Sequence, residues 1–402
     1  MKFREFLKAG HPGTLLSAFL YFDVSFMAWV MIGALGVYIA DDFSLSPTEK
    51  GLIVSIPLLA GSMLRIPMGI AADRFGSKKT GAAGLLLTLI PLLTGWLGAQ
   101  SLAQIFLLGA MLGIAGASFA VALPMASRWY PPQYQGLVMG IAGAGNSGTV
   151  LASFFAPRLA EHVGWHAVFG FAVVPVVLVL AFFLLFAKDS PARPARQKLA
   201  HYFSVLKERD AWWFNLFYMV TFGGFVGLAS FLAIFFHDQY GLSRIMAGNF
   251  TALCVFAGSF LRPLGGFLAD RFGGVRCLLV IYGVVSALML LVGQLPPLPW
   301  AIGGLLFAMS VLGMGNGAVF QLVPLRFQKE IGLVTGVVGA AGGLGGFLLP
   351  SFLGLLKDFT GSYGTGFFVF GLAASGSALL LAYVQREWRE RWAREKGLEI
   401  SL

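Results

Sequence analysis

Charge is what this chain lacks. Only 11% of its 402 residues are Asp, Glu, Lys or Arg, where a soluble domain carries roughly 25%. Hydrophobic residues reach 57% and the mean hydropathy is +0.80. That balance excludes a soluble globular domain and points to a protein that crosses a bilayer many times. Cysteine is scarcer still: Cys254 and Cys277 lie in or at the edge of apolar runs, so neither a disulfide framework nor a metal site follows. The five histidines (His11, His162, His166, His201, His237) map to ends or loops. No nucleophile or metal-ligand constellation occurs at mid-membrane depth, and no cofactor is expected. There is no phosphate-binding loop and no polar stretch long enough for an extramembrane enzyme domain. Neither an enzyme nor an ATP-driven pump is therefore expected. No small-residue cleavage site precedes the first apolar run, so that run reads as a retained helix.

What the chain has is apolar length. A first set of runs covers Thr14–Ala40, Gly51–Ala72, Thr80–Ala99, Leu102–Ser127, Gly136–Leu159 and Trp165–Ala187. A second covers Trp212–Phe236, Ile245–Ala269, Val275–Gln294, Trp300–Leu325, Gly332–Leu356 and Gly364–Val384. Each can cross a hydrocarbon core, which needs about 20 residues. The expectation is an all-α membrane protein of twelve spans: a six-helix half over 1–187, a basic, Pro-punctuated linker over 188–210, and a second half over 211–402. The net charge of +10 is no nucleic-acid signal. With both termini inside, 22 of the 28 Lys and Arg fall on the cytoplasmic side, which is the positive-inside bias. Lys50, Arg158, Arg244 and Lys357 fall outside, and Arg65 and Arg262 fall within spans.

Those two arginines belong to a repeat. Ala60–Gly76 and Ala257–Gly273 match at 11 of 17 positions, 197 residues apart, with both arginines and both Asp-Arg-Phe-Gly endings kept. A second echo joins Gly136–Ala144 to Gly332–Ala340. Span 2 thus repeats as span 8, and span 5 as span 11. Two similar six-helix halves in parallel are a transporter architecture, with the site at the midplane between them.

At this point the chain resembles the major facilitator superfamily. Gly69 through Asp73-Arg74-Phe75-Gly76 and on to Lys79 is similar to that family's loop 2–3 motif, and Gly266 through Gly273 repeats it. Within the superfamily it resembles the nitrate/nitrite porters over essentially its whole length, in the shorter twelve-span bacterial form. The marks are one arginine in each of spans 2 and 8 and a glycine-rich signature in each of spans 5 and 11. The signatures hold Gly140, Gly143, Gly145 and Asn146 in one half and Gly336, Gly339 and Gly342 in the other. The resemblance implies a major facilitator fold and alternating access around one central site for nitrate and nitrite.

Arg65 and Arg262 each lie eight residues before the aspartate that ends the helix, about 12 Å from the cytoplasmic end. Snorkelling rescues an arginine near a helix end, but not two at this depth. A guanidinium offers oxyanions a planar fork of donors, and the resemblance gives both residues the anion. Asp23 is the one acid well inside a span, about 14 Å in, and is expected to pair with Arg65 or Arg262. It reads either as a structural partner or as a proton site that frees an arginine for the anion.

The signature glycines read as close-packing positions, while the porters imply that Asn146 touches substrate. Tyr218 and Phe222 share a helix face, and the resemblance makes the first an anion ligand and the second a wall, with Phe26, Phe119 and Phe320 as further walls. Asn316 and Gln321 are supporting polar candidates. Asp73, Arg74, Asp270 and Arg271 are implied to be conformational latches at the cytoplasmic edge, against a plain reading as capping and positive-inside charge.

The expected function is a monomeric carrier of the bacterial cytoplasmic membrane that takes up nitrate with protons. Nitrate/nitrite exchange and a transporter-like nitrate receptor stand as alternatives. A sugar or drug carrier would leave two matched intramembrane arginines without a purpose.

Overall fold

The computed structural model describes residues 3–131, 134–190, 207–327 and 331–396. Most of the expected linker, with His201, and Lys329 lie outside the described residues. Among the described residues there is no strand. In hydrocarbon, backbone polar groups must be satisfied within the segment, and helices do that.

Eleven helices are long and apolar enough to cross a membrane: Pro47–Phe75, Ser77–Gly98, Leu102–Ser127, Val138–Val163, Trp165–Phe186, Arg209–Tyr240, Arg244–Phe272, Gly274–Gly293, Leu298–Val323, Leu333–Thr360 and Gly364–Trp388. They are spans 2 to 12 of the sequence. The expected span 1 is not one continuous helix. It is built from Pro12–Trp29, Met31–Ala34 and Gly36–Asp42, with ψ near zero at Val30 and Leu35. The breaks coincide with a close crossing. A Cβ on Gly33 would stand 2.5 Å from the Ser230 carbonyl of span 7, and one on Gly36 would stand 2.8 Å from Ile234 Cδ1.

Spans 2 and 8 show why the repeat matters. Both are 29 residues long, Pro47–Phe75 and Arg244–Phe272. Each starts on a serine cap: Ser46 forms a capping box with Glu49, and Ser243 accepts from the Met246 amide. Each ends on a glycine at positive φ, Gly76 at 95° and Gly273 at 91°, a conformation in which other residues are strained. Identical punctuation sets the two arginines at the same height.

Span 2 packs along span 11 and span 5 along span 8. The arginine-bearing helices are therefore the ones that join the first set of spans to the second. Span 7 is 94% buried over its apolar window, whereas span 6 is 33% buried and turns Leu178 and Leu185 outward. Spans 1, 4, 7 and 10 supply the aromatic walls of the centre.

Candidate functional site

The two arginines meet at the middle of the bundle. Arg65 is fully buried and Arg262 is 8% exposed, and the two are close enough for the Arg262 charge to act on the Arg65 guanidinium. The Arg65 Nε donates to the Gly116 carbonyl of span 4 at 3.2 Å, and its Nη1 donates to the Gly339 carbonyl of span 11. Its Nη2 has no protein partner, and neither has Nη1 of Arg262. Among the described residues no acid lies within ion-pair distance of either arginine, since every ion pair found involves other groups.

The Tyr218 hydroxyl sits against the Arg262 guanidinium and within electrostatic reach of Arg65. Its ring stacks on Phe222 at 5.1 Å and 8°, and meets Phe320 edge-on at 4.9 Å. Gly342 makes room for that ring, because a Cβ there would come within 2.5 Å of it. Asn146 sits in a tightened turn of span 5, Ala144–Ser147, wedged against spans 1 and 8. Both atoms of its amide are buried and unpartnered. One turn earlier, a Cβ on Gly143 would lie 3.9 Å from the Arg262 guanidinium.

Aromatic faces enclose the cations. Arg65 lies 5.1 Å from Phe119, 5.0 Å from Phe222 and 5.4 Å from Trp29, and Arg262 lies 6.0 Å from both Phe119 and Phe320. Phe119 thus lies against both guanidiniums, and 5.9 Å from it Phe320 covers Arg262. Such faces attract a cation and exclude water, which strengthens any ion–ion attraction inside.

Several sequence expectations change here. Asp23 pairs with neither arginine: its carboxylate accepts from Ser147 Oγ at 2.7 Å and from the Gly148 amide. The reason is the crossing of spans 1 and 5, where Gly148 brings that backbone against Asp23. Phe26 touches no guanidinium; it packs 4.2 Å from Phe22 and 4.8 Å from Trp29. Trp29, 5.4 Å from Arg65, holds that place instead, in a notch opposite Gly61 and Gly116, while Phe22 packs behind Phe119 at 5.8 Å. That pair of glycines was the signal available for Trp29.

Not every signature glycine is a packing position. Gly145 is tight against Phe22 and Gly339 against Phe119, but a Cβ on Gly336 would meet nothing within 4 Å and one on Gly140 only Pro263 at 3.9 Å. Gly336 instead lines a cleft that runs from Arg65 past Gly69 to Asp73 and Arg128 at the terminal end of the bundle. Of the four latch candidates, Asp73 binds Arg128 of span 4 at 2.6 Å. Among the described residues, Arg74, Asp270 and Arg271 form no ion pair, and all three are exposed. Asn316 is fully buried and unpartnered, and Gln321 turns its carbonyl oxygen towards Gly274.

Two repeated sets of spans, with charged donors facing one another at their junction, define a membrane transporter. The chain belongs to the Major Facilitator Superfamily, whose profile matches residues 17–350, and within it to the nitrate/nitrite transporters. It is 34% identical to the nitrite extrusion protein of Bacillus subtilis, covering 91% of this chain and 92% of that one. It is 33% identical to the probable nitrate transporter NarT of Staphylococcus epidermidis, covering 92% and 95%. The probable nitrate/nitrite antiporter NarK1 of Thermus thermophilus shares 33% identity over 90% of this chain and 88% of its own. Among solved structures, the xylose transporter XylE of E. coli superposes with a TM-score of 0.72 at 15% identity, covering 92% of this chain and 98% of that one. A bacterial homologue of the lysosomal transporter Spinster superposes at 0.67 and 20% identity, covering 92% and 96%. These last two speak for the fold alone.

Proposed function

We propose that this protein carries nitrate, and nitrite with it, across the bacterial cytoplasmic membrane by alternating access, in symport with protons. One observation carries the anion: two buried guanidiniums come together with no acid within ion-pair distance of either among the described residues. A buried uncompensated charge is costly, and a monovalent oxyanion would offset that cost. The unpartnered Nη2 of Arg65 and Nη1 of Arg262, with the Tyr218 hydroxyl beside them, suit a planar anion held edge-on by two forks. The relatives named for nitrate and nitrite support the same reading.

In this reading the protein acts as a monomer with both termini in the cytoplasm. The positive-inside bias supports that orientation. Residues 1–187 and 211–402 are the two units that rock about the site, and the cleft lined by Arg65 and Gly336 is its cytoplasmic exit. Asn146 contacts the anion, and Phe119, Phe222 and Phe320 keep the site dry. Asp23 is the proton site. Its bond to Ser147, next to Asn146, supports a route from proton to substrate through the tightened turn of span 5.

The test is nitrate entry into proteoliposomes that hold no internal anion substrate, under an inside-alkaline pH gradient. Accumulation that collapses with the gradient is expected, and Asp23→Asn should uncouple it. Entry only after loading nitrite inside would replace symport with exchange and make Asp23 structural. No entry under either condition by folded protein would overturn the anion assignment.

A further inference from the structure

At the end of the bundle away from the termini, the two sets of spans are joined by a pair of ion pairs whose acids obey the repeat. Asp41 lies in the last turn of span 1 and Asp238 in the last turn of span 7, 197 positions apart, the same interval that separates Arg65 from Arg262. Each acid reaches across to the first turn of the arginine-bearing helix of the other set. Arg244, the first residue of span 8, binds Asp41 with Nη2 at 2.5 Å and Nε at 3.2 Å. Lys50, in the first turn of span 2, binds Asp238 at 2.7 Å. Lys50 and Arg244 are two of the four basic residues that break the positive-inside pattern.

Each pair is backed by a tyrosine. Arg244 lies over the Tyr38 ring at 4.6 Å, and the Tyr38 hydroxyl donates to Glu161 at 2.7 Å. The Tyr363 hydroxyl donates to Asp238 at 2.9 Å, with Lys357 over its ring at 5.1 Å. Beneath them the backbones close tightly: a Cβ on Gly36 would meet Ile234, and one on Gly51 would meet the Pro350 carbonyl.

We infer that Asp41–Arg244 and Lys50–Asp238 form one pseudo-twofold latch that closes the outer mouth of the transporter and must release for the site to face outward. Two properties single it out from ordinary surface pairs. Both pairs span the two repeated sets, and their cations stand on the same two helices that carry Arg65 and Arg262. Opening the mouth therefore separates both pairs at once. The Lys50–Asp238 side chains are 17% and 18% exposed and those of Arg244–Asp41 38% and 42%, so the first pair is the stronger half, because solvent screens the second more. High salt loosens such a latch.

The inference rests on the alternating-access reading and not on the identity of the anion. The test uses Ile234→Cys as a reporter beneath the latch, in a Cys254→Ser/Cys277→Ser background, with a membrane-impermeant maleimide added outside cells. The parent should label slowly. Asp41→Asn should speed labelling about twofold and Asp238→Asn about fivefold, with the double variant near their product. The exchange Lys50→Asp/Asp238→Lys should return the rate to within about twofold of the parent, which separates loss of the pair from loss of fold. Parental labelling in the double variant, or no recovery on exchange, overturns the latch. Labelling that responds to saturating nitrate but ignores the charges sinks the latch alone. Labelling that never responds to the anion while transport proceeds sinks alternating access as well.

Discussion

Arg65 and Arg262 are not interchangeable with lysine, although lysine keeps the charge. The Arg65 guanidinium spends Nε on Gly116, Nη1 on Gly339 and leaves Nη2 for a ligand, a division of labour that one ammonium cannot reproduce. Arg65→Lys and Arg262→Lys should each lower nitrate uptake by roughly 100-fold, with the melting temperature little changed. Uptake near the parental rate in either variant would remove that arginine from the anion. These two residues were legible in the sequence because a charge in an apolar run has few alternatives. The aromatic walls were only half legible. With 38 Phe and 9 Trp in the chain, composition cannot say which ring faces inward. Phe119, Phe222 and Phe320 were placed by resemblance, while Trp29 took the position expected of Phe26. The partner of Asp23 was also hidden, because it depends on where span 5 crosses span 1, and spacing along one helix carries no such information.

At the scale of the element, the two glycine signatures look alike and do different work. Gly342 faces the Tyr218 ring, whereas Gly336 faces the open cleft. Gly342→Ala should displace Tyr218 and raise the KM for nitrate by about tenfold or more, an overpacking effect. Gly336→Ala should leave transport within about twofold, since small residues matter only where helices touch. Equal effects from the two alanines would mean that the signatures act through helix propensity and not through the site. Helix ends follow the same logic. The serine starts and glycine stops of spans 2 and 8 can be read from sequence because capping is local. The breaks in span 1 at Val30 and Leu35 cannot, because they answer to span 7 crossing at Gly33.

Across the whole molecule, two kinds of ionic contact divide their tasks. At the terminal end, Asp210 is buried and accepts from Arg326 Nε at 2.5 Å and Trp388 Nε1 at 2.9 Å. This joins spans 7, 10 and 12 within one set and holds that set as a unit. Asp210→Asn should destabilise the protein by about 2 kcal/mol, because it leaves the half-buried Arg326 guanidinium with only the longer, more exposed pair to Glu208 at 3.8 Å. A lowered melting temperature in detergent would show it, with Ile234→Cys labelling below the unfolding range unchanged. An unchanged melting temperature would make the contact ornamental. The halves and their duplication were plain in the sequence, but the latch across the outer mouth was not, because a charge at a span end is unremarkable until its partner is known.

Equal helices also have a mechanical consequence. Arg244 and Arg262 are 18 residues apart on a helix with no proline between them, so the straight arm between them measures about 27 Å. Pivoted at the guanidinium, a tilt of about 10° sweeps the far tip through roughly 5 Å on that arm, beyond the reach of an ion pair. The fulcrum itself hardly moves. The carrier can thus swing its gate through a full stroke while its grip on the cargo keeps one geometry, so the force that opens the door need not loosen the hand.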